Sequence, residues 1–206
     1  MSNKLQIYYF DFPFWRAEIS RIALHASGQP FDDVRLKRDD FRALKASGEL
    51  PFGQVPALKV NGSFIAQTGA VARYCGRLAG LYPQDALRQA QVDQVIDAMS
   101  DITLHIGRTM RAPNAEEKKQ ARALLVTETL PVWLGFLERL LDASKTEFFV
   151  GETLTIADLA IWRGMGWLTG GILDGVPENL LDGFLQLQKH FQAVEAHVVV
   201  TNWKNR

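Results

Sequence analysis

The spacing of apolar positions changes several times along the chain, and each change marks an element. Leu5, Ile7 and Tyr9 alternate with Gln6, Tyr8 and Phe10, a period of two that predicts a strand over 5–10. Asp11-Phe12-Pro13-Phe14-Trp15 breaks it, because Pro13 has no N–H for a sheet ladder. From Arg16 the period turns helical: Ile19, Ile22, Ala23 and Ala26 share a face, and Gly28 stops the helix. Residues 31–36 predict a second strand, and such a strand-helix-strand unit makes a right-handed parallel crossover. A polar helical stretch over 39–47 leads into Pro51-Phe52-Gly53-Gln54-Val55-Pro56. Strands over 57–60 and 63–66 then flank Asn61-Gly62, a hairpin signal because both residues tolerate positive φ. Val71, Cys75 and Leu78 return to helical spacing, so the first eighty residues read β-α-β-α-β-β-α.

Beyond residue 80 the pattern is helical throughout. Val92, Val95, Ile96, Met99, Ile102 and Ile106 keep one face, as do Leu130, Leu134, Leu137 and Leu141, with Pro131 expected to kink or start a segment. Thr155-Ile156-Ala157-Asp158 fits a helix start of the capping-box type. The expected organisation is an α/β domain over 1–80, a linker over 81–86 and an all-helical domain over 87–206.

Composition narrows the function classes. Twenty-three Lys and Arg balance 23 Asp and Glu, which argues against a polyanion binder, and one cysteine leaves no disulfide framework or thiolate metal cluster. The four His are far apart, so no metal site is expected. The polar start Met1-Ser2-Asn3-Lys4 and the lack of a long apolar run predict a soluble, cytoplasmic protein.

Two places could carry chemistry. A cis bond before Pro56 would turn the Val55 backbone outward to pair with an extended peptide ligand; an ordinary trans proline opening a strand is the alternative. At Gln67-Thr68-Gly69-Ala70 a strand enters a helix whose free N–H groups could seat a carboxylate; alternatively Thr68 merely caps its own helix.

Tyr9-Phe10, Arg16-Ala17-Glu18, Pro51-Phe52-Gly53-Gln54-Val55-Pro56, Gln67-Thr68 and Ala72-Arg73-Tyr74, in this order, resemble the cytosolic glutathione transferases, above all the tyrosine-type sigma and pi classes. The resemblance covers residues 5–83 and continues through Asp93, Asp97, Asp101 and the Thr155–Asp158 helix start. It implies a thioredoxin-like N-terminal domain, an all-α C-terminal domain, glutathione as co-substrate, and a homodimer active on a small hydrophobic electrophile. Val55 would pair with the cysteinyl part of glutathione, with Pro56 cis behind it. Gln67 and Thr68 would hold the γ-glutamyl carboxylate, Lys45 the glycyl carboxylate, and Arg16, Phe41 and Gln54 would also line the site. Asp101 would reach the γ-glutamyl amine in the partner's site, although an acidic stripe on one helix face also reads as solvated surface.

The family's reaction needs a thiolate, which a phenol O–H stabilises by donating to sulfur. Tyr9 is the favoured donor and Tyr8, on the opposite strand face, the alternative. Tyr9 stands seven residues before Arg16 where the family usually has six, and Phe12-Pro13-Phe14-Trp15 fills the longer loop. Phe41 replaces a tryptophan and cannot supply its N–H, and Lys45 precedes Pro56 by eleven residues, about two more than usual. Phe12, Phe14, Trp15, His105, Arg108 and Thr109 are expected around the hydrophobic substrate, unless the aromatics pack between domains. Cys75 reads as core. A glutathione-dependent isomerase or peroxidase, or a non-catalytic glutathione-binding relative, would share the fold.

Overall fold

The computed structural model describes residues 4–206, so Met1, Ser2 and Asn3 of the polar start lie outside the described residues. The first unit runs β1 (Leu5–Phe10), α1 (Trp15–Ala26), β2 (Phe31–Leu36), α2 (Arg38–Ala46), β3 (Ala57–Val60), β4 (Ser63–Ala66) and α3 (Thr68–Ala79). Its strand order is β2-β1-β3-β4. β1 and β2 are parallel, as the crossover requires, and β3 lies antiparallel to both β1 and β4. Asn61 and Gly62 form the β3–β4 turn with φ of 49° and 93°.

The period of two in β1 becomes a division between faces. Leu5, Ile7 and Tyr9 are buried and Gln6, Tyr8 and Phe10 only partly so. Ile19, Ile22, Leu58, Val71 and Cys75 complete this core, where α1 packs against α3. Burial pushes the Cys75 thiol up to about 12, the behaviour of an inert core residue.

The second unit comprises α4 (Ala86–Thr109), α5 (Ala115–Leu124), α6 (Leu130–Ser144), α7 (Ile156–Leu168) and α8 (Leu185–Ala196). A π turn, Leu125–Thr129, joins α5 to α6. There the Leu130 N–H donates five residues back to Leu125, just before Pro131, which has no N–H of its own and starts α6. The apolar stripe of α4 is buried, and α4 meets α7 where Gly164 leaves room for the Met99 sulfur. At the start of α7, Asp158 accepts from the Thr155 N–H and hydroxyl, both at 2.7 Å. It also accepts from the Phe149 N–H at 2.8 Å and lies 3.1 Å from His190 Nε2.

Contacts divide the chain differently at its end from the 87–206 expectation. Residues up to Pro83 group with Val198–Arg206, and Gln84–His197 form the other unit. The reason is α9 (Val198–Lys204), whose buried Trp203 donates its indole N–H to Glu18 of α1 at 2.8 Å.

Candidate active site

In the first unit, β3, β4 and the start of α3 meet at a cleft lined by Arg16, Phe52, Gln54, Val55, Pro56, Ala66, Gln67 and Thr68. The Val55–Pro56 bond is cis. Among the described residues, neither the N–H nor the C=O of Val55 takes a backbone partner. The loop ahead of it turns at Gly53, with φ of 59° and its N–H on the Leu50 carbonyl at 3.1 Å. A Cβ at Gly53 would lie 3.3 Å from Cε of Lys45, so the lysine stem is folded across this loop despite the longer spacing in sequence.

The start of α3 is built open. Gln67 holds φ at 74°, a left-handed value that costs a non-glycine residue about 1–3 kcal/mol and persists where the surroundings impose it. Thr68 is the first helical residue and caps nothing: its hydroxyl is buried without a hydrogen-bond partner among the described residues. A buried unpaired hydroxyl costs about 1–3 kcal/mol. Strain and an orphan donor therefore coincide at a helix N-terminus, where unpaired N–H groups and the helix dipole favour an anion. The capping alternative for Thr68 and the trans alternative for Pro56 both fall.

The two tyrosines are separated by the pleat of β1. Tyr8 turns outward, its ring 5.2 Å from Phe64 and its hydroxyl 3.5 Å from Gln6 Oε1. Tyr9 is buried between Phe10 and Phe12, ring centroids 5.6 and 5.5 Å away, with the Arg21 guanidinium 5.8 Å from its ring. Its hydroxyl makes no hydrogen bond to a described residue. Burial pushes the phenol up to about 12, against the opposing charges of Arg16 and Arg21. Arg16 links this tyrosine to the cleft, since it lines the cleft and its charge acts on Tyr9. The result is a protonated donor over the whole neutral range.

The remaining expected residues divide. Phe41 sits against Phe10 at 5.2 Å rather than in the cleft wall. Asp101 is exposed on α4 of the second unit. Phe12 is exposed, Phe14 half-buried beside it at 5.9 Å, and Arg108 exposed; His105 lies 5.7 Å from the Trp133 ring. Trp15 and Thr109 must be corrected as walls of an open substrate site. Trp15 is fully buried, and Thr109 is buried with its hydroxyl donated to the Ile106 carbonyl at 2.7 Å. Helical periodicity could have warned of both, since each continues an apolar face. The cleft residues Phe52 and Ala66, and the buried Arg21 behind Tyr9, were missed. Arg21 had a signal: an arginine directly before Ile22, beside the apolar face that Ile19, Ile22 and Ala23 mark on α1.

A small mixed sheet carrying an open, anion-favouring helix start is followed in the chain by an all-helical unit, and comparison with known proteins assigns this pair to an enzyme family. Residues 5–77 match the family model for the glutathione S-transferase N-terminal domain, and residues 100–206 that for the C-terminal domain. Glutathione S-transferase 1 of Ascaris suum is 33% identical over 190 residues, 90% of this chain and 88% of that protein. The crystal structure of the glutathione S-transferase from Ascaris lumbricoides superposes with a TM-score of 0.82 at 31% identity, covering 100% of this chain and 97% of the other. Rat hPGDS, solved in complex with a quinoline, gives a TM-score of 0.82 at 27% identity, covering 98% and 96%. The chain belongs to the glutathione S-transferase family, and it is an enzyme with glutathione as co-substrate. No helix among the described residues is long and apolar enough to cross a membrane.

Proposed function

We propose a tyrosine-type glutathione transferase, sigma- or pi-like, in which Tyr9 generates the glutathione thiolate for attack on a hydrophobic electrophile. The observation that carries this reading is the buried Tyr9 hydroxyl, without a hydrogen-bond partner among the described residues, beside an arginine that also lines the cleft. A neutral phenol donates its O–H to sulfur and stabilises the anion without repelling it, which lowers the thiol pKa from its usual value near 8.5. The thiolate then forms the C–S bond, the leaving group departs with its electron pair, and the thiol proton goes to solvent.

Binding follows from the groups left open. The Val55 N–H and C=O suit the cysteinyl backbone as an added strand would. Gln67, Thr68 and the first N–H groups of α3 suit the γ-glutamyl carboxylate. Lys45 suits the glycyl carboxylate, with Arg16 and Gln54 beside the bound tripeptide and Phe41 supporting the wall behind Phe10. Of the expected hydrophobic site, Phe12, Phe14, His105 and Arg108 remain candidates. The quinoline bound by the rat relative is the kind of flat apolar molecule that aromatic walls accept.

The same reading includes a cytoplasmic homodimer in which Asp101 serves the partner's γ-glutamyl amine, with residues 1–80 binding glutathione and 87–206 completing the electrophile site.

Thiolate absorbance of bound glutathione at neutral pH tests the mechanism. Tyr9→Phe is expected to remove the signal and Tyr8→Phe to keep it. Loss in Tyr8→Phe alone transfers the role to Tyr8, and no thiolate in the unmodified enzyme overturns the mechanism.

A further inference from the structure

Behind Tyr9 lies a buried polar relay that the cleft does not use. Arg21 of α1 is completely buried. Its Nε donates to Asp33 at 2.9 Å, Nη1 to Glu18 at 3.3 Å and to the Phe12 carbonyl at 3.4 Å, and Nη2 to the Phe10 carbonyl at 3.4 Å. These two carbonyls belong to the residues whose rings enclose Tyr9. The guanidinium fork thus clips the longer aromatic loop and faces the Tyr9 ring at once. The other oxygen of Glu18 accepts the Trp203 indole N–H at 2.8 Å. Trp203 lies 182 positions after Arg21 in sequence (203 − 21) and reaches the relay only because α9 returns to the first unit.

We infer that Trp203, acting through Glu18 and Arg21, is a positioning residue for the thiolate-forming step: the C-terminal helix fixes the orientation of the Tyr9 hydroxyl. The inference rests on the reading of Tyr9 as the thiol's hydrogen-bond donor. Arg21 must serve four acceptors, so its place is set by the carboxylates that hold it. Glu18 is held in turn by the indole. Without that N–H, one oxygen of a buried carboxylate loses its donor and Glu18 turns toward another, which loosens Arg21 and the Phe10–Phe12 segment. A small displacement of a hydrogen-bond donor is enough to lower its efficacy. The other charged groups around the relay are Asp33 and Arg35 on β2, Asp11 in the loop, Arg16 and His25 on α1, and Arg206 after α9.

The test is a double-mutant cycle on the thiol titration of bound glutathione, with wild type, Trp203→Phe, Tyr9→Phe and the double variant. Trp203→Phe is expected to lower the thiolate fraction near pH 6.5 by about threefold and kcat by a similar factor, with KM for glutathione changed less than about twofold. KM holds because the cleft residues are untouched. In the Tyr9→Phe background, with the titration carried up in pH until the thiol ionises, the same substitution is expected to shift the midpoint no further, which a purely structural role would not predict. An unaltered titration in Trp203→Phe, or an equal fall in both backgrounds, overturns the relay. Thiolate loss in Tyr9→Phe with none in Trp203→Phe overturns the relay alone; a thiolate that survives Tyr9→Phe overturns the reading beneath it and the relay together. If Trp203→Phe does not fold, benzothienylalanine at position 203, with sulfur in place of the N–H, carries the same outcomes.

Discussion

The helix starts at Thr68 and Thr155 use the same residue type to opposite ends. At α7, Asp158 gathers the Thr155 N–H, the Thr155 hydroxyl and the Phe149 N–H, with His190 beside it. At α3, the Thr68 hydroxyl is equally buried and has no partner among the described residues, and Gln67 before it sits in a left-handed conformation. A start whose polar groups are all paired stabilises the fold; a start whose groups are buried, aligned and unpaired is poised for a ligand. One site holds the molecule together, and the other carries unfavourable terms that a ligand pairing the Thr68 hydroxyl would relieve.

The comparison breaks most visibly at the paired start. Asp158→Ala strands several buried donors at once and is expected to destabilise the protein by about 3 kcal/mol or more, read as a large fall in the urea midpoint. Its residual folded fraction is expected to keep glutathione affinity. The open region responds in the opposite way: Tyr9→Phe is expected to lower kcat by about 100-fold while the urea midpoint stays within error, since its hydroxyl has no partner to lose among the described residues. A smaller effect separates buried polar groups with and without a task. Cys75, like Tyr9, has its folded pKa raised, so its contribution to stability is complete below the unfolded value of 9.0 and is lost as pH climbs toward about 12. Unfolding midpoints are therefore expected to fall between pH 9 and 11, with a shallower slope in Cys75→Ala, the slope per proton being at most about 1.4 kcal/mol per pH unit.

What could be read from the sequence follows the same division. Strands, the hairpin turn and the α4 and α6 stripes were legible because period and turn chemistry are local. The Pro51–Pro56 and Gln67–Thr68 segments were legible from local chemistry only as one reading among two, which the resemblance tipped, since a cis bond and an orphan hydroxyl are decided by tertiary structure. Trp15 looked like a substrate wall because its loop is aromatic, yet it opens α1 and is buried. Trp203 and Arg21 could not be joined from the sequence, because nothing local says that a C-terminal helix packs on α1 rather than with the helices before it. The stretch between Lys45 and Pro56 is about two residues longer than usual, and the Gly53 turn brings the loop back under the lysine stem.

The central claim is that the open start of α3 is tuned for glutathione rather than for the fold, and Thr68→Val tests it most directly. Valine keeps the shape and removes only the hydroxyl. Calorimetry of glutathione binding, paired with the melting temperature of the ligand-free protein, is expected to show affinity reduced by about tenfold with the melting temperature unchanged or raised. Unchanged affinity together with a lower melting temperature would contradict the account, because the hydroxyl would then be serving the fold.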